Sequence, residues 1–363
     1  MRPVINIKDA FCIPGARLDR RTTGFGIYGA DGRLLPFSEI NTASWITRPE
    51  PEAKVSGEAN RVLGPTLFAG SVDKQFGFVL LNSLGRLWAL EGLPTETTVV
   101  FAAKPINQRV SYSIVGHILR SLGLRNPILI VETQTLFEDL YLAEERFGEC
   151  RGGQGTAEFY EWIDRRWSPM NTHPDPDRAV YVTRSGLGPM AGRYACEDHL
   201  ESLLAAEGYE IFAPEAHSVE VQVKTFQSAG RLIFAESSAL HLFGLVRRPG
   251  QISAIIHRRP ELPDVMALQL ADRVGPVPVA INAISEVWWP PMRGDHLGRS
   301  VLDFDRLHKE LLAAGLISAT RWDAPGKTEV ATSLRAGLND NQDIMDQMAR
   351  ERWLLQLRKR KRR

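Results

Sequence analysis

The chain has 363 residues, enough for about two domains, and 44% of them are hydrophobic, enough to bury a core in each, which excludes a disordered chain. Lys and Arg number 44 against 43 Asp and Glu, a formal net charge of +1, so no overall field recruits nucleic acid and none is expected as a partner. Cys12, Cys150 and Cys196 are odd in number, far apart and without a C-x-x-C pair, which argues against a disulfide framework or a zinc site and fits a reducing, cytoplasmic setting.

The opening MRPVINIKDAFCIPG lacks an apolar core of signal-peptide length, and no run approaches the ~18 to 20 apolar residues that span a bilayer. The chain is expected to be soluble or at most peripheral. Residues 1–70 are rich in Gly and Pro and read as short strands and turns, an antiparallel addition to the first sheet. QFGFVLLNSLGRLWALEG then places Phe76, Val79, Leu80, Leu84 and Leu87 on one helical face and stops at Gly92. TVVFAA (98–103), a helix carrying Val110, Ile114, Ile118 and Leu122, and PILIVE (127–132) form a β-α-β unit. The Pro-containing stretch MNTHPDPDR, after a helix ending near Trp167, reads as a linker. The expected organisation is a first domain over 1–170, a linker over 171–178, a second domain over 179–290, and C-terminal helices with a basic tail over 291–363.

From Ala179 the pattern is clearest. AVYVT (179–183), YEIFAP (209–214), RLIFAE (231–236), QISAIIH (251–257) and PVPVAINAI (276–284) read as five strands, with helical periodicity in every gap. Such alternation predicts a parallel sheet with helices on both faces, a Rossmann-like α/β domain whose ligands bind at the carboxyl ends of the strands.

That rim collects the candidate residues. RLIFAESSALH leaves its strand through Glu236, Ser237 and Ser238 into a helix; the helix amides suit a phosphate and Glu236 suits ribose hydroxyls, or the serines simply cap the helix. His241, one turn on, faces the same crevice or is an ordinary helix residue. Arg184 ends the first strand of this domain and Arg193 follows a Gly-rich loop; they serve either as a guanidinium pair for a diphosphate or as solvated loop residues. Glu197, in the first turn of the next helix, reads as structural. Glu215 leaves the second strand at the same rim. Asp175-Pro-Asp177 and Asp303-Phe-Asp305 spell D-x-D but fall in the linker and at a helix start, so no metal site is expected. P-loop, G-x-G-x-x-G, G-x-S-x-G and H-E-x-x-H motifs are absent, which disfavours a Rossmann-type oxidoreductase among others. The ending RERWLLQLRKRKRR pairs Trp353 and three leucines with six basic residues, suiting either an anionic membrane surface or a solvated tail.

Together these residues resemble glycosyltransferase family 61 and its bacterial relatives of capsular polysaccharide biosynthesis, over roughly residues 60–250. The resemblance rests on YVTR-x8-R, the acid at Glu197, GYEIFAPE, Gln222, Phe226, Ala229 and AESSALH in the family's order, and on GPTLFAGSVDKQFGFVLLNSLGRLWAL in the first half. It implies a GT-B-like α/β pair of facing Rossmann-like domains, the first for a glycan or lipid-linked glycan acceptor and the second for a nucleotide-sugar donor. Inverting, metal-independent transfer without a resident cofactor is expected. Arg184, Arg193, Ser237 and Ser238 would then serve the diphosphate, and Glu215, Glu236 and His241 the ribose or sugar. Where the family shows H-F-G-H-F-L-L-E, this chain has Gln75, Phe78 and Asn82, so Gln75 and Asn82 become acceptor-side residues and Asp73 the nearest carboxylate for a base. The alternative the replacements favour is a non-catalytic module that binds nucleotide, glycan or a partner enzyme.

Overall fold

The computed structural model describes every residue except 1–2, 16–17, 19–21, 43–44, 104–111, 168–172, 189–190, 274, 291–293, 295–296, 340 and 362–363. The chain forms two compact units, 1–171 with 244–246 and 264–272, and 172–243 with 247–263 and 273–363.

In the first unit, β1 (Val4–Ile13), β3 (Gly26–Tyr28), β5 (Asn60–Val72), β6 (Thr98–Ala103), β7 (Ile128–Val131) and β8 (Thr135–Ala143) form one sheet in the order β3-β1-β8-β5-β6-β7. β5 is parallel to both β6 and β8, and β6 to β7, whereas β1 lies antiparallel to β8 and β3. The N-terminal segment is therefore an antiparallel addition to a parallel sheet. The short strands β2 (Thr22–Thr23) and β4 (Ile46–Thr47) pair separately. One side of the core gathers Phe25, Trp45, Phe68, Val100, Phe137 and Leu142.

The helix expected over 75–92 is two pieces, α1 (Phe76–Asn82) and a 3-10 turn (Leu87–Gly92). The reason lies at Gly85: a Cβ there would fall 2.1 Å from the Phe147 carbonyl oxygen, and the Arg146 amide donates to the Gly85 carbonyl at 2.9 Å. Close backbone approach interrupts a segment whose apolar periodicity is otherwise helical. α2 (Tyr112–Ser121) and α3 (Ala157–Trp167) follow in this unit, joined by a bond from Trp167 Nε1 to Ser121 Oγ at 3.0 Å. Val110, expected on the first of these, lies outside the described residues.

The second unit holds β9 (Asp175–Val182), β11 (Tyr209–Phe212), β12 (Ala229–Ala235), β13 (Ile252–Ile256) and β14 (Val279–Ile281) in the order β11-β9-β12-β13-β14, parallel throughout. The five strands read from the sequence are all present, although Asp175–Arg178, read as linker, already belong to β9. Within this sheet the spatial order is second, first, third, fourth, fifth, compatible with a Rossmann-like fold. Tyr181, Ile233, Ala254 and Ile256 pack on one face against α4 (Glu197–Ala206) and α8 (Phe304–Ala313) through Leu200, Leu204, Leu307 and Leu311. On the other face Phe234 meets Phe226 of α5 (Val219–Ser228) at 5.4 Å and Phe243 of α6 (Ala239–Val246) at 4.7 Å.

β10 (Arg193–Tyr194), β15 (Ile284–Trp288) and β16 (Arg299–Leu302) make a small second sheet in the order β10-β16-β15. α7 (Asp264–Asp272), α9 (Lys327–Arg335) and α10 (Gln347–Lys361) complete the helices. Arg362, Arg363 and the side chains of Arg358, Arg360 and Lys361 in the basic tail lie outside the described residues. Among the described residues no helix is long and apolar enough to cross a membrane.

Candidate functional site

A doubly wound sheet opens where successive connections leave in opposite directions, here between β9 and β12. The chain exits those carboxyl ends at Thr183-Arg184, Pro214-Glu215 and Glu236-Ser237, and exits β13 at His257-Arg258. The structure thus brings Arg184, Glu215, Glu236 and Ser237 to one rim, as the sequence pattern predicts.

Arg184 is half-buried. Its guanidinium donates to the Gly192 carbonyl from Nη2 at 2.9 Å and from Nε at 3.3 Å, while Arg193 Nη2 donates to the Leu187 carbonyl at 3.0 Å. The two arginines therefore clasp one loop from its ends, and Arg193 Nε is buried without a hydrogen-bond partner among the described residues. Parallel pairing of β10 with β16 sets Arg193 beside Arg299, which is fully buried. Burial lowers the pKa of Arg193, with Arg184 pushing the same way and Glu197 opposing; burial and Arg193 together lower that of Arg299. Arg258 is brought down to about 10, first by burial and then by Arg184. These guanidiniums lie close enough to disfavour one another's charge.

Two carboxylates are buried among them. Cys196 holds left-handed backbone (φ 55°, ψ 44°) ahead of α4. Glu197 Oε1 accepts from the Arg184 amide at 2.8 Å, from the Thr183 hydroxyl at 3.0 Å and from the Tyr181 hydroxyl at 3.1 Å. Its Oε2 is buried with no partner among the described residues, and burial raises its pKa. Glu197 therefore ties the end of β9 to the start of α4, the structural role its sequence position predicts.

Glu236, expected to accept ribose hydroxyls, has both carboxylate oxygens engaged within the chain. It is 0% exposed; its Oε2 accepts from the Arg258 amide at 2.9 Å and the Arg259 amide at 3.1 Å, and its Oε1 from Arg259 Nε at 2.6 Å, with Arg259 Nη2 closing the ion pair. The Tyr194 hydroxyl accepts from the Glu236 amide and donates to the Ile256 carbonyl. Glu236 is the fastener between the ends of β12 and β13.

Ser237 Oγ accepts from the Ala239 amide at 3.3 Å, so it, and not the exposed Ser238, supplies the side-chain cap of α6. His241 is buried in the first turn of that helix. Glu215 is exposed in a 3-10 turn fixed by Gln222 Nε2, which donates to the Pro214 and His217 carbonyls at 2.8 and 3.2 Å. A Cβ at Gly186 would collide with the Glu215 carboxylate, which places that acid over the Arg184 loop.

In the first unit, Asp73 is buried beyond the end of β5, its Oδ1 accepting from the Lys74 amide at 2.6 Å. Gln75 is exposed at the start of α1, and Asn82 is buried two turns later at its end. Both polar atoms of the Asn82 side chain, and Ser71 Oγ, lack partners among the described residues. The His257-Arg258-Arg259 triplet and Arg299 escape a reading based on individual strands. The rim rule that selects Glu215 and Glu236 selects the triplet too, once the fourth strand is followed to its carboxyl end.

Residues 71–249, running from the end of β5 through α6, match the family model described as Glycosyltransferase 61. No curated protein matches the chain. Over those residues, which hold Asp73, Arg184, Arg193, Glu197 and Glu236, the chain is similar to glycosyltransferase family 61.

Proposed function

We propose that the protein transfers a sugar from a nucleoside-diphosphate sugar to a growing glycan, in capsular or exopolysaccharide assembly. The observation that carries this reading is the gathering of Arg184, Arg193 and Arg299 at the switch-point rim, with the first two inside the glycosyltransferase match. Transfer leaves a diphosphate with growing negative charge as the bond to the anomeric carbon breaks. Fixed guanidiniums stabilise that charge without reorganising, which suits an inverting displacement that needs no metal.

In this reading the units are the acceptor and donor halves of a GT-B-like enzyme. Asp73, Gln75 and Asn82 serve the acceptor side, Asp73 as the base that takes the hydroxyl proton. Ser237, Ser238, His241 and Glu215 complete the donor rim. Glu236 acts on the donor through the residues it holds. The basic end of α10 attaches the chain to an anionic membrane face from the cytoplasm; a chain lacking residues 353–363 should lose sedimentation with anionic vesicles at unchanged thermal stability.

The test is calorimetric titration with UDP-, GDP-, dTDP- and CMP-sugars, each binder being followed for slow release of nucleotide. Selective binding of one nucleoside-diphosphate sugar with release is expected. Absence of binding across the panel overturns the reading, and binding without release reduces the protein to a nucleotide-binding module.

A further inference from the structure

The segment leaving β13 lies beyond the residues of the family match, yet it emerges beside Glu236 at the proposed donor rim. Three observations there need a common explanation. Arg258 is 5% exposed, and Arg184 and Arg259 lie near enough to disfavour its charge while Glu236 favours it. Among the described residues, Glu197 and Glu236 are the buried carboxylates of a cluster that holds Arg184, Arg193, Arg258, Arg259 and Arg299.

His257 adds a second, independent sign. It is 8% exposed, and neither ring nitrogen has a hydrogen-bond partner among the described residues. Buried polar side-chain atoms are nearly always partnered, so an imidazole with two vacant nitrogens beside an arginine pair points to a partner from outside the chain. The third observation concerns backbone. At many phosphate sites the amides of a turn do the binding, but here the Arg258 and Arg259 amides both donate to Glu236. Recognition at this turn falls to side chains.

We infer that His257, Arg258 and Arg259 bind the phosphate groups of the donor, and that Glu236 is the positioning residue that holds Arg259 and the turn for that purpose. This rests on the donor reading above. The imidazole N–H and the guanidinium forks donate to phosphate oxygens, and the bidentate forks favour a diphosphate over a monophosphate. Arg259 closes the site from its outer side: its side chain is 34% exposed while its carboxylate partner is fully buried.

The experiment measures affinities of UDP, GDP, dTDP, the matching monophosphates and the uncharged nucleosides for the full chain and for His257→Ala, Arg259→Ala, Arg259→Lys and Glu236→Gln, with thermal unfolding as a control. Arg259→Ala and His257→Ala are each expected to weaken the diphosphate that the wild type binds by about tenfold or more, the scale of a charge-assisted hydrogen bond. Nucleoside affinity should stay within about twofold, and Arg259→Lys should recover part of the loss. Glu236→Gln should reproduce the diphosphate-selective loss, whereas a residue that merely supports the fold would lower diphosphate and nucleoside affinity together. Should Glu236→Gln fail to fold, the more exposed Arg259 carries the test. If Arg184→Ala abolishes diphosphate binding while His257→Ala and Arg259→Ala bind like the wild type, the donor reading stands and this inference falls. If the wild type binds no nucleoside diphosphate, both fall.

Discussion

Arg86 in the first unit and Arg258 in the second are almost equally withdrawn from solvent, at 4% and 5% exposure, but their surroundings differ. Arg86 Nη2 pairs with Glu145 at 3.0 Å and donates to the Glu39 carbonyl at 3.0 Å, its Nε donates to the Ala143 carbonyl at 3.2 Å, and its guanidinium lies 5.6 Å from the Phe68 ring centroid. Around Arg258, Arg184 and Arg259 disfavour its charge and Glu236 favours it, while Glu236 also accepts from the Arg258 and Arg259 amides and from Arg259 Nε. Burial of an arginine therefore does not reveal its role. The groups around it do: Arg86 pairs with Glu145 and fastens the fold, whereas Arg258 lies among guanidiniums that share Glu197 and Glu236, next to His257, whose ring nitrogens have no hydrogen-bond partner among the described residues.

The largest expected effect lies in the first unit. Arg86→Ala removes a buried pair and two bonds to carbonyls, and leaves Glu145 uncompensated, so unfolding stability should fall by about 3–5 kcal/mol, read as a lower denaturant midpoint. A loss below about 1 kcal/mol would place Arg86 with the surface pairs and break the contrast. In the second unit the same substitution should act on binding. Arg184→Ala or Arg193→Ala should weaken nucleotide-sugar affinity by about 1.5–3 kcal/mol in calorimetry, the worth of a hydrogen bond to a charged group, with a smaller change in stability. Unchanged affinity removes the arginine from the site.

Asn82 sharpens the comparison, because the first unit also buries unpartnered polar atoms, but uncharged ones. Asn82→Leu conserves volume and removes an unsatisfied amide, so it should stabilise the chain by about 1 kcal/mol. In the proposed reaction it should also weaken acceptor use while donor affinity holds, measured as a rise in acceptor KM. Destabilisation instead would show that the amide is satisfied by solvent in the folded chain.

The five-stranded sheet of the second unit was legible in the sequence because each strand is a short apolar run between turn residues, so local pattern suffices. The Ser218 hydroxyl accepting from the Val221 amide at the head of α5 is local in the same way. The small sheet was not legible: β10 is two residues long, and its pairing with β16 joins segments remote in sequence, so nothing local sets Arg193 beside Arg299. The broken helix at Gly85 has the same origin, since the carbonyl that forces the break belongs to Phe147. For the site, the rim rule selected Arg184, Glu215, Glu236 and Ser237, which the structure places at one edge of the sheet. It could not tell an acid that faces outward from one, like Glu236, that a neighbouring strand end captures.

Glu197 provides the finest probe of that edge. Burial raises its carboxyl above the ordinary 4.5, against hydrogen bonds from Arg184, Thr183 and Tyr181 that act to lower it. The folded chain thus holds this proton more tightly than the unfolded chain. Its contribution to stability is complete below the ordinary carboxylate value and is lost as pH rises through the raised folded value, beyond which it is constant. Glu197→Gln keeps an oxygen for the Tyr181, Thr183 and Arg184 donors but cannot titrate. Urea midpoints measured from about pH 4 to pH 7 should therefore fall for the wild type and stay flatter for the variant. Identical profiles would show that Glu197 titrates alike in both states. Because Glu197 also offsets the charge of Arg184 and Arg193, its neutralisation should tighten nucleotide binding at neutral pH, by less than about tenfold, if those guanidiniums face the diphosphate. Weaker binding would mean that Glu197 serves the rim by holding Arg184 in place, and that its geometry outweighs its charge.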